Sequence, residues 1–185
     1  MQLFLYLNGK HNPFFDVVMY WFSNKFTWIP LYLFFLFLAF KQVGKRVWLV
    51  IIFAVLLILL SDQLSVHAFK NVFVRYRPCH NLSIRQQVHL LNGYCGGTYG
   101  FISSHAANTF ALAMFLFLLF KNKMINHFGV FIFIWAALVS YSRIYSGVHY
   151  PADVFIGGIL GMGIGIAVFK LYSYVDLWLL KKSSW

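Results

Sequence analysis

The chain has 185 residues, of which 61% are hydrophobic, 21% aromatic and only 10% charged. Soluble domains carry roughly 25% charged residues, so a water-facing charged surface cannot be assembled from this composition. Asp16, Asp62, Asp153 and Asp176 are the only carboxylate side chains, against fifteen Lys and Arg and a net charge of +11. A soluble enzyme and a disordered chain are excluded. Two cysteines cannot support a zinc scaffold, and four scattered Asp argue against a two-metal site. The cations lie between long apolar runs rather than along a polar stripe, which argues against a nucleic-acid partner. What remains is a polytopic membrane protein.

The N-terminus MQLFLYLNGKHNPFFD lacks a basic leader and a small-residue cleavage site, so no cleavable signal is expected. Phe14 to Phe22 is apolar but too short to cross a bilayer, and predicts a partial or interfacial helix. Five longer runs follow: Leu31 to Phe40, extended by Thr27 to Pro30, then Val47 to Leu60, Ala106 to Phe120, Ile125 to Tyr141 and Val154 to Phe169. Each falls short of the ~20 residues that cross a bilayer core, so flanking Ser, Tyr and Trp must complete it. Trp28, Trp48, Trp135 and Trp178 lie where interfacial aromatic belts belong. The expected fold is an all-α membrane helix bundle, five full spans plus a short N-terminal helix, in a single domain over 1–185. Gly157, Gly161 and Gly165, four apart on the last run, predict a close helix-packing face.

If the five spans alternate, Lys41, Lys45 and Arg46 share one side with Lys121, Lys123, Lys181 and Lys182. The positive-inside rule makes that side cytoplasmic. The opposite side then holds 61–104 and 142–153, and with them Lys70, Arg75, Arg77, Arg85 and Arg143. A long translocated loop explains Arg85. It does not explain why the other cations gather with histidines.

Three segments on that outer side collect the reactive side chains. Lys70, Arg77 and Arg143 lack carboxylate partners in number, so their natural counter-ion is an external anion, and Arg offers the forked donors that suit phosphate. Ser103 and Ser104 precede an apolar helix, whose first N–H groups form an anion site. His149 and Asp153 are four apart across Pro151, so the carboxylate can reach back and fix the imidazole. His105 opens another helix on the same side. Two histidines beside a phosphate cradle suggest a nucleophile and a general acid for phosphoryl transfer without a metal or other cofactor.

These segments resemble the signature motifs of the type 2 phosphatidic acid phosphatase family, relatives of the vanadium haloperoxidases. Lys70-x6-Arg77-Pro78 and Ser142-Arg143-x5-His149-x3-Asp153 match the family pattern fully. In the middle motif Ser103 and His105 are kept, while Ile102 stands where Pro is usual and Ser104 where Gly is usual. The resemblance implies that His149 attacks phosphorus and becomes phosphohistidine, that Asp153 steadies its ring, and that His105 protonates the leaving oxygen and then activates water. It also implies that Lys70, Arg77, Ser103, Arg143 and the N–H of Ser104 hold the phosphoryl oxygens. The implied activity is hydrolysis of an anionic lipid phosphate or pyrophosphate on the outer leaflet of the plasma (bacterial inner) membrane, with no obligate protein partner. Undecaprenyl pyrophosphate is the first expectation; phosphatidylglycerophosphate, phosphatidic acid and lipid A phosphates are the alternatives. An anion transporter or a silent scaffold would need neither the His149–Asp153 pair nor His105.

Singly, many of these residues have plainer readings. Arg143 could offset a helix dipole, the Ser-Ser pair could be only a cap, and Ser142 could only shape a helix end. Arg75 reads equally as a phosphate contact or as a headgroup or solvent contact. His11, His67, His89 and His127 read as structural, and His80 is a candidate to line the entrance. Cys79 and Cys95 fall in the same outer loop, where an oxidising compartment would join them in a disulfide.

Overall fold

The computed structural model describes residues 1–120 and 125–182. Every named element among them is a helix, and the one strand-like contact is an isolated antiparallel bridge between Tyr76 and Tyr99. Two short helices, α1 (Gln2–Asn8) and α2 (Pro13–Ser23), form an N-terminal arm. Asn12 caps α2 by accepting the Phe15 N–H at 2.9 Å, and Pro13 occupies the first turn. With 11 residues α2 rises only about 16 Å, too little to cross. No apolar periodicity announces α1; it is pinned from its end by Asn8. That side chain donates to the carbonyls of Tyr145 at 2.8 Å and His89 at 3.0 Å, and accepts the His89 N–H at 2.8 Å.

The five apolar runs are five helices: α3 (Ile29–Val43), α4 (Val47–Gln63), α6 (Ser104–Phe120), α7 (Ile125–Tyr145) and α8 (Pro151–Lys182). Gly44 separates α3 from α4 at φ 61°, a conformation that costs glycine nothing. Beyond Gln63, α4 continues as a π-helical stretch, Leu64–Lys70, and a closing turn, α5 (Asn71–Phe73). The wider turn carries Lys70, in keeping with the frequent placement of π-bulges at functional sites. Lys25–Phe73, His127–Tyr145 and Pro151–Lys182 are long and apolar enough to cross a membrane. α6 is apolar over 17 residues, a rise of about 26 Å. On α3 and α4, Leu33, Phe34, Phe37, Ile52 and Val55 are exposed, as lipid-facing side chains are. The chain is a multi-pass membrane protein.

One end of the bundle gathers Lys41, Lys45, Arg46, Lys181 and Lys182; Arg46 bridges Asp176 of α8 at 2.5 Å. Lys121 and Lys123, assigned to the same end from sequence, lie outside the described residues. The core lies between α4, α6, α7 and α8, with Leu57, Ala111, Phe115, Ile132 and Ala136 fully buried. Its tightest seam joins α6 to α8. A Cβ on Gly157 would stand 2.8 Å from the Ser103 carbonyl oxygen, one on Gly161 2.2 Å from that of Ala107, and one on Gly165 2.6 Å from that of Ala111. The glycine face predicted from spacing therefore packs backbone to backbone on α6.

At the other end, the segment between Phe73 and Ser104 folds as short turns, tied by a Cys79–Cys95 disulfide with Cα atoms 5.9 Å apart. The closed loop is worth about 3 kcal/mol in the chain-entropy model. Denaturant unfolding of the Cys79→Ala/Cys95→Ala protein should show a loss of that order. In unreduced, denatured wild type, thiol labelling should find no reactive sulfhydryl. Two labelled thiols per chain would contradict the bond.

Candidate active site

The site is assembled where α4, α6, α7 and α8 end together. The π-helical stretch delivers Lys70, whose Nζ donates to Ser104 Oγ at 2.6 Å; Ser65 Oγ lies 2.6 Å from the same hydroxyl. Residues 75–77 are extended and clipped to 98–100: Arg77 N–H donates to Thr98 O at 3.1 Å and Gly100 N–H to Arg75 O at 2.9 Å. The Arg77 guanidinium is steadied by the carbonyls of Cys95 and Tyr99, each at 3.3 Å, so the disulfide loop grips a candidate phosphate ligand. Ser103 is fully buried, and its N–H donates to Asp153 O at 3.0 Å, joining the start of α6 to the start of α8. The Phe101–Ile102 peptide at the altered middle motif is cis.

Arg143 closes the last turn of α7. Its carbonyl accepts the N–H groups of Val148 and His149, both at 3.2 Å, which folds 146–150 back over the helix end. His149 is thereby buried at 2% exposure. Burial, then the charges of Arg77, Arg143 and Lys70, hold its imidazole well below the ordinary histidine range. A neutral ring is the form that can attack phosphorus. His105, in the first turn of α6, shares the same cationic neighbours. His149, His105, Lys70, Arg77 and Arg143 thus lie close enough for the cations to act on both imidazoles. Asp153 stands beside His149, and the Ser103 hydroxyl accepts the Ala106 N–H at 3.4 Å. Ser104 turns its hydroxyl to Lys70, leaving its N–H at the start of α6.

The expected hold of Asp153 on His149 is looser than a hydrogen bond. His149 Nδ1 stands 3.7 Å from Asp153 Oδ2, beyond hydrogen-bonding range. That oxygen accepts the Tyr150 N–H at 2.8 Å, and Oδ1 pairs with Arg75 at 3.0 Å. Arg75, read from sequence equally as a phosphate contact or as a headgroup or solvent contact, pairs with Asp153 and stays partly exposed. It also lies over the Tyr150 ring at 4.3 Å. Ser142 shapes the helix end, as its plainer reading had it: its hydroxyl donates to Val139 O at 2.6 Å. His80 lies beside Gly96 O at 3.3 Å. His89 pairs with Asp16 at 2.8 Å and stacks on His11 at 3.8 Å, away from the cradle. One participant has no sequence signal: Ser23, at the end of α2, accepts a hydrogen bond from Arg143 Nη1.

The model of the PAP2 superfamily matches residues 51–176, a stretch that runs from α4 through all three motif segments. The chain belongs to the PAP2 superfamily. Within it, the chain is 42% identical over 176 residues to a lipid A 4'-phosphatase of Porphyromonas gingivalis, covering 94% of this chain and 72% of that protein. A lipid A 4'-phosphatase of Bacteroides thetaiotaomicron is 39% identical over 86% of this chain and 71% of its own length. An undecaprenyl-diphosphatase of Sulfolobus acidocaldarius is 31% identical over 82% of this chain and 66% of its own. Among solved structures, Aquifex aeolicus LpxE superposes with a TM-score of 0.65 at 26% identity, covering 91% of this chain and 93% of that one. This chain is therefore a PAP2-type membrane lipid phosphatase. Undecaprenyl pyrophosphate, the first expectation from sequence, is not the substrate named for the more similar relatives.

Proposed function

We propose that this PAP2 chain is a single membrane-embedded domain that hydrolyses the 4'-phosphate of lipid A or a closely similar glycolipid phosphate on the outer leaflet. The observation that carries the chemistry is His149 at 2% exposure, where burial and the charges of Arg77, Arg143 and Lys70 hold its imidazole well below the ordinary histidine range. His149 attacks phosphorus while the three cations and the N–H groups at the start of α6 take up the charge of the phosphoryl oxygens. Once the bound phosphate offsets the surrounding cations, His105 takes up a proton and gives it to the leaving sugar oxygen, then takes one from the water that cleaves phosphohistidine. Asp153 acts by position: it carries Arg75, caps the Tyr150 N–H, and stands beside His149 as the ring becomes cationic. The substrate choice rests on the likeness to the two lipid A 4'-phosphatases, which exceeds that to the undecaprenyl-diphosphatase.

Phosphate release by the detergent-purified chain from lipid A, undecaprenyl pyrophosphate, phosphatidylglycerol phosphate and phosphatidic acid tests this reading. Lipid A should give the highest kcat/KM, and EDTA should leave the rate unchanged. A preference of about tenfold or more for undecaprenyl pyrophosphate would reverse the substrate assignment. Loss of activity in EDTA, restored by magnesium, would reverse the mechanism.

A further inference from the structure

A second cluster of reactive side chains lies outside the cradle, where the N-terminal arm meets the outer loop. His11, between α1 and α2, Asp16, in the first turn of α2, and His89 place their ligating atoms within 4.8 Å of one another. His89 Nε2 lies 2.8 Å from Asp16 Oδ1, and the two imidazoles stack with centroids 3.8 Å apart. Two of the three are held from behind. The Tyr145 hydroxyl donates to the same Asp16 oxygen at 2.7 Å. Asn8 accepts the His89 N–H at 2.8 Å and donates to the His89 carbonyl at 3.0 Å, so both backbone polar groups of His89 are fixed. Among the described residues Cys79, His80 and Cys95 also gather closely, but both thiols are spent in the disulfide.

Two imidazole nitrogens and one carboxylate oxygen form a donor set that suits Zn²⁺, whereas Mg²⁺ and Ca²⁺ favour oxygen alone. A carboxylate oriented by a tyrosine hydroxyl has the outer-shell support that metal ligands need. We propose that His11, Asp16 and His89 bind a Zn²⁺ ion that fastens the N-terminal arm to the outer loop, with water in the fourth position. Zn²⁺ takes the place of the hydrogen between His89 Nε2 and Asp16 Oδ1, and the neutral ring keeps its one proton on Nδ1. Bond lengths of about 2.0–2.2 Å require the His11 ring to swing out of the parallel stack. Its exposure, and its place in the non-helical residues 9–12, allow that movement. A Cβ on Gly147 would stand 2.5 Å from the His89 carbonyl oxygen, so residue 89 packs on the turn that carries His149. The ion is structural: it braces that turn from outside and takes no part in phosphoryl transfer.

The detergent-purified full chain, freed of any histidine tag, is stripped with chelator and dialysed against Zn²⁺. One Zn²⁺ should bind per chain, and excess Mg²⁺ or Ca²⁺ should not displace it. His11→Ala, at an exposed position, and Asp16→Asn should each weaken Zn²⁺ by about tenfold or more. Tyr145→Phe should weaken it by about tenfold, the scale on which loss of an outer-shell partner acts. His105→Ala and His149→Ala should leave the affinity unchanged, which separates this site from the histidines of the cradle. Zn²⁺ at a hundredfold excess over Kd should raise the Tm of wild type by about 5 °C or more and leave that of His11→Ala where it was. Chelation should lower Tm without lowering kcat. Unchanged affinity in His11→Ala, loss of the ion in His149→Ala, or a wild-type Tm that ignores Zn²⁺ overturns the inference.

Discussion

The His149→Ala protein is expected to lose at least about 10⁴-fold in kcat, the scale on which removal of a covalent nucleophile acts. It should also fail to form the acid-labile phosphoprotein expected of wild type in a rapid quench. Two features of the structure make the loss this large. His149 is almost fully buried, so water cannot take over its approach to phosphorus from the same side. Burial and then Arg77, Arg143 and Lys70 hold its imidazole well below the ordinary histidine range, and His105, which has the same cationic neighbours, sits on a different helix and does not take its place beside Asp153. The alanine protein should still bind phosphate analogues through the three cations, and this separates a lost nucleophile from a lost fold. Retention of even a tenth of wild-type turnover would assign the nucleophile elsewhere.

Gly161→Ala should be the most damaging single-methyl change in the bundle. A Cβ there would stand 2.2 Å from the Ala107 carbonyl oxygen, whereas ordinary contact begins near 3.4 Å. The opposing atom is backbone and cannot rotate away, so α8 must back off by roughly 1 Å. Overpacking of this kind costs about 1–3 kcal/mol. The catalytic cost is larger, since α8 carries Asp153 while α6 carries Ser103 and His105, and a 1 Å misplacement can cost on the order of 10²-fold. Gly163→Ala is the control, because a Cβ at 163 meets nothing within 4 Å. Thermal unfolding and kcat measured on both proteins decide the matter. Equal behaviour of the two would mean that the seam does not set the site.

Much of this was legible because it is local in sequence. The spacing of Lys70 to Arg77 and of Arg143 to His149 to Asp153 marks the proposed cradle and nucleophile, and glycines four apart mark the seam. What could not be read is contact between distant segments. Arg75 pairs with Asp153 and Ser23 accepts from Arg143, across 78 and 120 residues. No pattern in a single chain joins such pairs. The four-residue spacing of His149 and Asp153 promised a hydrogen bond, but both carboxylate oxygens are drawn to Arg75 and to the Tyr150 N–H. Helix periodicity puts Asn108 on a face with His105 without telling that this face lines a groove.

The glycine seam divides the protein mechanically. Backbones that touch along α6 and α8 cannot slide or part without losing contact over their whole common length, so Ser103, His105 and Asp153 ride on one stiff body. α3 is less embedded: of its residues only Phe35 and Ala39 are buried, the groove runs beside it, and its hold on α7 rests largely on the Phe35 ring against Phe128 and Trp135. Segments with few buried contacts are the ones that open at small free-energy cost. Thermal motion is therefore partitioned, with the chemistry mounted on the still half and passage of the lipid left to the yielding half. Bilayer thickness and lateral pressure, which act on lipid-facing helices, should then govern how often the site is filled rather than how fast a filled site reacts.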